Sequence, residues 1–158
     1  MREKFKNLPL RNGVGIVVLN EKNKVFVAKR IDNPKYHWQM PQGGVDKGEN
    51  FLDAAYRELE EETSIKNVKL IKELDGTTTY ELPDYLLGII WRGKYRGQKQ
   101  KWFLVRFMGD EKEIDIKTKK PEFLEWKWIE INQITDVVVD FKLNVYKELR
   151  NKINKIIN

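Results

Sequence analysis

Residues 43–65 read GGVDKGENFLDAAYRELEEETSI and contain the most informative local pattern of the chain. Asn50 is of the residue type that caps helix N-termini, and Asp53 follows three positions later. A helix is therefore predicted from this cap to about Thr63. One face of this helix is expected to pack inward, and its side chains are Leu52, Ala55, Tyr56, Leu59 and Thr63.

A second face of the predicted helix carries Glu58, Glu61 and Glu62, which stand at positions i, i+3 and i+4. These glutamates could simply form a solvent-exposed acidic surface, because repulsion between exposed like charges costs only about a few tenths of a kcal/mol. Clustered carboxylates also bind hard divalent cations, which activate water and neutralise phosphate oxygens. Taken alone, the helix leaves open both a solvated surface and a metal site that hydrolyses a phosphoanhydride bond.

The spacing of residues around the helix favours the metal site. Six positions after Gly43 comes Glu49, and eight positions later begins the series Arg57-Glu58-Leu59, Glu61-Glu62 and Ile65. This resembles the Nudix hydrolase signature: Gly, five residues, Glu, seven residues, Arg-Glu, an aliphatic residue, any residue, Glu-Glu, any residue, Gly and an aliphatic residue. Ser64 stands where the signature has its second glycine. Because glycine suits the left-handed backbone after a helix, this departure affects the helix exit but removes no ligand.

The resemblance implies an α+β Nudix fold, in which a mixed β-sheet is sandwiched between helices (α/β/α), formed by residues 1–158 as one domain. It implies Mg²⁺ as cofactor, with Mn²⁺ as an alternative ion. The implied metal ligands are Gly43, through its carbonyl, and the carboxylates of Glu58, Glu61, Glu62 and Glu122. The same four glutamates are the implied catalytic residues, although Glu122 alone would be interpreted as a loop carboxylate. Arg57 and Glu49 are implied to pair and hold the loop against the helix, a contact that an ordinary surface ion pair would also make.

Further segments narrow the resemblance to the bacterial RNA pyrophosphohydrolases, also described as dinucleoside polyphosphate hydrolases. The matching segments are RNGVGIVV (11–18), WQMPQGG (38–44), GQKQKWF (97–103), PEF (121–123) with Trp126 and Trp128, and VVDFKLNVY (138–146). The implied contacts to 5′ phosphates and first nucleotides are Arg11, Arg30, Tyr80 and Lys142. Val139 and Phe141 are implied to flank a nucleobase, with core packing as an equal alternative for Phe141.

Composition sets limits on the class of protein. With 158 residues, 41% of them hydrophobic and 34% charged, the chain is expected to be globular rather than disordered. A net charge of +6 fits an anionic partner, although an AT-rich genome would also enrich lysine. Because cysteine is absent and His37 is the only histidine, oxygen ligands and a hard cation are favoured, and His37 itself is interpreted as structural. No apolar run nears the roughly 18 residues of a membrane span, and the basic start of the chain lacks the apolar region of a signal peptide, so neither is expected. The absence of cysteine favours the cytoplasm as the location, and a monomer is expected.

The rest of the chain is predicted to be mostly strands. Two β-rich runs, 13–19 and 24–29, flank the turn-like sequence NEKN and predict a hairpin. Further strands are predicted at 38–40, 68–74, 85–91, 101–108 and 124–129, with a loop at 41–44. A last helix is predicted at about 141–156 with an apolar stripe of Val145, Leu149, Ile153 and Ile156.

One primary functional hypothesis and three alternatives follow. The primary hypothesis is an RNA 5′ pyrophosphohydrolase that converts 5′-triphosphate or diphosphate RNA to 5′-monophosphate RNA and so promotes mRNA decay. The second keeps the chemistry but takes a dinucleoside polyphosphate, such as diadenosine tetra- or pentaphosphate, as substrate. The third is an RNA-binding module without catalysis, which the retained glutamates of the helix argue against. A nucleotide-pool sanitising enzyme would show the same acidic helix.

Overall fold

The computed structural model describes residues 2–32 and 37–157. In these residues seven strands form one sheet. They are β1 (Leu10–Leu19), β2 (Val25–Arg30), β3 (Gln42–Gly44), β4 (Val68–Glu73), β5 (Thr78–Glu81), β6 (Gly97–Phe107) and β7 (Phe123–Ile129). Strands β4-β6-β1-β2-β7 lie side by side in this order, while β3 pairs with β1 and β5 with β6. The sheet is mixed, since β1 and β6 run parallel and the other paired strands are antiparallel.

Helices cover both faces of the sheet. They are α1 (Arg2–Phe5), α2 (Phe51–Thr63), α3 (Ile134–Val137) and α4 (Leu143–Ile157), with 3-10 turns at Ile90–Gly93, Glu111–Glu113, Ile131–Gln133 and Asp140–Lys142. Side chains alternate along β1 because successive residues of a strand point to opposite faces. Ile16 packs with Leu59 of α2 in one core cluster, whereas Val17 packs with Leu149 of α4 in the other. The predicted α/β/α sandwich is therefore confirmed. Within the described residues, no helix combines the length and apolarity that crossing a bilayer requires.

Local signals at both ends of α2 act as the sequence indicates. Asn50 caps the helix by accepting a 2.8 Å hydrogen bond from the Asp53 backbone N–H. Ser64 ends it in the left-handed conformation, with φ 65° and ψ 5°. Its backbone N–H donates to the Glu60 carbonyl, and its hydroxyl donates to the Asp115 carbonyl at 2.8 Å. Serine thus takes the backbone angles that suit glycine, and a side-chain hydrogen bond to a distant segment offsets part of the cost.

The predicted strand at 85–91 is wrong. This part of the chain forms turns followed by the 3-10 turn Ile90–Gly93, and strand β5, one of the strands that pair with β6, lies earlier, at Thr78–Glu81. Pro83 begins the turns, and Gly88 and Gly93 have positive φ angles of 78° and 71°. The turn residues therefore outweigh the β-rich composition. A Cβ on Gly93 would lie 2.9 Å from the Gly88 carbonyl oxygen, so the segment closes tightly on itself.

Three further boundaries differ from the prediction. The predicted loop at 41–44 is largely strand, because Gln42, Gly43 and Gly44 pair with residues of β1. Strand β6 begins at Gly97 rather than at residue 101, since its polar side chains Gln98 and Gln100 are buried. The last helix begins two residues later than predicted, after the turn Asp140–Lys142. The extended piece predicted at 38–40 forms only a single bridge between Gln39 and Ala28. The other predicted strands and the hairpin lie within a few residues of their observed bounds.

Candidate active site

One cavity of about 980 Å³ brings together the residues implicated in metal and substrate binding. They come from β1, β2, β3, α2, β5, the residue before β7 and the end of the chain around the turn before α4. The implicated residues that line it are Arg11, Arg30, Gly43, Glu58, Glu61, Glu62, Tyr80, Glu122, Val139, Phe141 and Lys142. Sequence-distant residues therefore share one space, with carboxylates and cations both facing it.

Glu62 is the most unusual acidic side chain of the cavity. It is only 4% exposed, and its Oε2 atom has no hydrogen-bond partner within the described residues. Burial raises the pKa of Glu62 well above its ordinary value, and the charges of Glu122 and Glu58 raise it further. Arg30 and a hydrogen bond from the Gln42 backbone oppose this rise. The negative charge of ionised Glu62 is thus only partly balanced by Arg30 and the Gln42 backbone, so a cation at its free oxygen would stabilise it.

Glu58 lies against the backbone of β3. A Cβ on Gly43 would collide with the carboxylate of Glu58, so only glycine lets the strand approach this side chain. Burial raises the pKa of Glu58, while the hydrogen bond from Arg57 opposes the rise. The absence of a side chain at position 43 therefore places a backbone segment directly beside an acidic ligand candidate.

Arg57 joins the loop before α2 to the acidic face of the helix. Its Nε and Nη2 atoms donate to the two carboxylate oxygens of Glu49 at 2.7 and 2.9 Å, and Nη2 also donates to the Gly44 carbonyl at 3.0 Å. Its Nη1 atom donates to Glu58 at 2.7 Å and to Glu61 at 3.3 Å. The forked contact lowers the pKa of Glu49 to about 2 and raises the pKa of Arg57. One guanidinium thus sets the positions of the loop and of two helix carboxylates.

Positively charged side chains of the cavity lie around Lys142, which is buried in the turn Asp140–Lys142 before α4. Burial, with a contribution from Arg30, lowers the pKa of Lys142 to about 7. Its Nζ atom lies 5.3 Å from the centroid of the Tyr80 ring and 5.9 Å from that of Phe141. Arg30 is held by two hydrogen bonds to Asp32 at 2.8 and 2.9 Å, which raise its pKa. An anion entering here would meet a fixed guanidinium and would favour the protonated lysine.

Two side chains to which the sequence assigned no role in the site connect these groups. Gln98, buried on β6, donates to the Tyr80 hydroxyl at 3.0 Å and accepts from Arg11 at 2.8 Å. Trp91 lies beneath the Arg11 guanidinium, 5.2 Å from its ring centroid, and also lines the cavity. Gln98 stands in the quoted GQKQKWF segment, so a polar residue inside a strand pattern was the available signal. His37 lines the cavity as well, and its Nδ1 atom is buried without a partner in the part of the chain described.

The donor set fits a hard divalent cation, although it is not preassembled. Among the described residues, no three histidine, cysteine, aspartate or glutamate side chains stand together as a ready metal site. The fit rests on the unpartnered, buried Oε2 atom of Glu62 and on the contact between Glu58 and the Gly43 backbone. All the candidate donors are oxygens, which are the ligands that magnesium, manganese and calcium prefer.

The comparison with protein families agrees with this geometry. A NUDIX domain matches residues 9–149, and the chain therefore belongs to the Nudix family. Nudix hydrolases generally need a divalent metal ion, and the prediction of a hydrolase acting on phosphoanhydride bonds is confirmed. The chain is similar to the RNA pyrophosphohydrolase of Pelagibacter ubique, with 72% identity over 158 residues and 100% of both chains covered. It is 45% identical over 142 residues to the RNA pyrophosphohydrolase of Rhodospirillum rubrum, covering 90% of this chain and 86% of that one.

Solved structures share the fold at low sequence identity. The dihydroneopterin triphosphate pyrophosphohydrolase of E. coli has a TM-score of 0.71 and 21% identity, with 92% of this chain and 99% of that chain covered. A C. elegans Ap4A hydrolase, solved as a binary complex, has a TM-score of 0.62 and 19% identity, with coverage of 90% and 98%. These two likenesses concern the fold alone.

Proposed function

We propose that this protein is an RNA 5′ pyrophosphohydrolase, which converts 5′-triphosphate or diphosphate RNA to 5′-monophosphate RNA. The observation that carries the proposal is a single cavity in which buried Glu62 has an unpartnered oxygen and in which Arg11, Arg30 and Lys142 also lie. A polyphosphate needs both a metal-binding acidic region and cations for its own charge. The full-length similarity to a protein named RNA pyrophosphohydrolase supports RNA as the substrate.

We assign Mg²⁺, with Mn²⁺ as an alternative, to the carboxylates of Glu58, Glu61, Glu62 and Glu122 and the carbonyl of Gly43. The bound ion would activate water and neutralise phosphate oxygens. Arg57 positions Glu58 and Glu61 through the contacts described above. We assign Arg11, Arg30, Tyr80 and Lys142 to the phosphates and first nucleotides, because paired or buried donors suit a polyanion. Val139 and Phe141, which line the same cavity, would flank a nucleobase.

The test is release of phosphate or pyrophosphate from a short 5′-triphosphate RNA, with and without Mg²⁺, with the 5′-monophosphate RNA product identified. Glu62→Gln keeps the shape of the side chain and should lower kcat by about 100-fold or more, because a ligand carboxylate is lost. Glu60→Gln is the matched control, since Glu60 is exposed on the same helix and does not line the cavity. Full activity of both Glu61→Gln and Glu62→Gln, or metal-independent release, would overturn the proposal.

The same variants assayed on diadenosine tetraphosphate separate RNA hydrolysis from the dinucleoside alternative, through the ratio of the two kcat/KM values. We further propose that the protein acts as a monomer in the cytoplasm, which size-exclusion chromatography with light scattering and cell fractionation would test.

A further inference from the structure

The segment 82–93, here called the Trp91 segment, forms an apolar wall of the cavity that the assigned roles do not use. Leu82, Leu86, Ile90 and Trp91 line the cavity, and all of them pack against the core cluster beneath α4. Tyr85 lines it too and is 66% exposed. A wall that is fixed on the core side and open on the cavity side is shaped before any ligand binds.

The backbone of the Trp91 segment is held in an uncommon conformation. Trp91 and Arg92 both have positive φ angles, of 52° and 58°, which bulky residues rarely adopt. The close approach of Gly93 to Gly88 fixes the turn, and Gly88 in turn lies against the Phe5 ring. Tyr95 contacts the Trp91 ring edge-on, with centroids 6.1 Å apart and planes at 76°. The surrounding contacts therefore fix the indole in place, as expected where an uncommon conformation serves a binding site.

A continuous row of contacts links Trp91 to the proposed nucleobase site at Phe141. The ring of Phe141 lies 5.8 Å from that of Tyr80, whose hydroxyl accepts a hydrogen bond from Gln98. Gln98 accepts from Arg11, and the Arg11 guanidinium lies over Trp91. The row thus has an aromatic ring at each end and polar groups between them.

Arg11 also connects the Trp91 end of this row to the metal side of the cavity. A Cβ on Gly44 would collide with the Arg11 guanidinium, so this side chain lies directly against strand β3, next to Gly43. A phosphate drawn to Arg11 would therefore stand beside both the acidic residues and the indole. A nucleoside attached to that phosphate would meet the Trp91 ring.

We propose that Trp91 is a second stacking position for a nucleobase, so that the cavity binds substrates with two nucleosides joined through phosphates. The proposal rests on the proposed function, because Phe141 is taken as the position of the first nucleobase. Both the 5′ end of RNA and a dinucleoside polyphosphate have this chemistry. Indole and nucleobase rings stack regardless of base identity, and a neighbouring guanidinium adds a cation–π contribution.

Steady-state kinetics with three substrates tests the proposal: ATP with one nucleobase, the triphosphorylated dinucleotide pppApG, and diadenosine tetraphosphate. Trp91→Ala should raise KM for at least one two-base substrate by about 5- to 100-fold, the range for loss of one stacked base. KM for ATP should stay within about twofold, and Trp91→Phe should restore most of the loss. Trp128→Ala is the matched control, since Trp128 packs against Phe26 and Phe107 and does not line the cavity.

Each outcome has one meaning. Dependence on Trp91 with pppApG identifies the RNA 5′ end as the source of the second base, and dependence only with diadenosine tetraphosphate identifies the dinucleotide. Unchanged KM for both two-base substrates, or an equal rise for ATP, overturns the proposal. Calorimetric binding of the same compounds to the Glu62→Gln protein, with and without Trp91→Ala, gives the comparison without turnover. Failure of the wild-type protein to hydrolyse triphosphate RNA would instead overturn the proposed function.

Discussion

Replacing Lys142 by methionine is expected to stabilise the free protein and to weaken its binding of phosphates. Burial is the main cause that lowers the pKa of Lys142 from its usual 10.5 to about 7, and Arg30 contributes while Glu62 and Asp32 oppose. Between these two pH values the unfolded chain binds this proton and the folded protein does not. The free energy of unfolding therefore rises with pH across this window, and the cost of the lysine is greatest below pH 7.

The size of this cost follows from the pKa difference. About 3.5 pKa units at about 1.4 kcal/mol each give a cost close to 5 kcal/mol below pH 7, which falls to about 1 kcal/mol near pH 10. At pH 8 the folded side chain is mostly neutral, and the Lys142→Met protein should therefore be more stable than wild type by about 3 kcal/mol. The difference should fall to about 1 kcal/mol at pH 10.

Urea unfolding of wild type and Lys142→Met at pH 8, 9 and 10 measures this difference directly. Lys147→Met is the matched control, because Lys147 is exposed on α4, the helix that follows Lys142, and should give no gain at any of these pH values. A Lys142→Met protein that is less stable than wild type at pH 8, or a gap that stays constant up to pH 10, would refute the reasoning. In parallel, KM for triphosphate RNA should rise by about tenfold or more, since a buried charge contact to a phosphate is lost.

Further expectations concern the loop and the exit of α2. Arg57→Lys should lower kcat by about 10- to 100-fold without loss of helix content in circular dichroism, because lysine cannot make the paired contact with Glu49; wild-type kcat would contradict it. Gly43→Ala should raise the Mg²⁺ concentration needed for half-maximal activity by about tenfold or more, because the added Cβ collides with Glu58. An unchanged Mg²⁺ titration would count against this contact. Ser64→Gly should leave stability to urea unchanged or raise it by up to about 1 kcal/mol, whereas Ser64→Ala should lower it by about 1 kcal/mol. The reverse order would show that the left-handed exit is not strained.

Helix α2 and its acidic face could be predicted from the sequence because their signals are local. The Asn50 cap and the helical spacing of Glu58, Glu61 and Glu62 lie within one short stretch, and the structure has the helix at the predicted bounds. Burial of Glu62 was not predictable in this way. It depends on the tertiary structure, which also brings the sequence-distant charges of Glu122 and Arg30 close enough to act on the pKa of Glu62.

The part of the site that the sequence did not reveal depends on tertiary contacts. Trp91 was assigned to a strand because β-rich residues surround it, whereas Gly88 and Gly93 determine the turns actually formed. Strand β3 was assigned to a loop because its glycines permit unusual angles, but pairing with β1 gives it an extended backbone. In both cases a glycine can either form a turn or let another segment of the chain approach its backbone closely, and only the packing partner decides which of the two occurs.

The charges of the cavity explain why the site needs residues from so many elements. Arg57 is the one cation that contacts Glu49, Glu58 and Glu61 in the described structure, so it can neutralise only part of their charge. Glu62 adds a further buried carboxylate on the same face of α2. A polyphosphate next to these groups would be repelled unless a divalent ion lies between them. The affinity for metal and the affinity for phosphate must therefore be coupled, and equally so in both directions. In the proposed assignment, Arg11, Arg30 and Lys142, which line the same cavity, would contact phosphate oxygens that the metal ion does not neutralise.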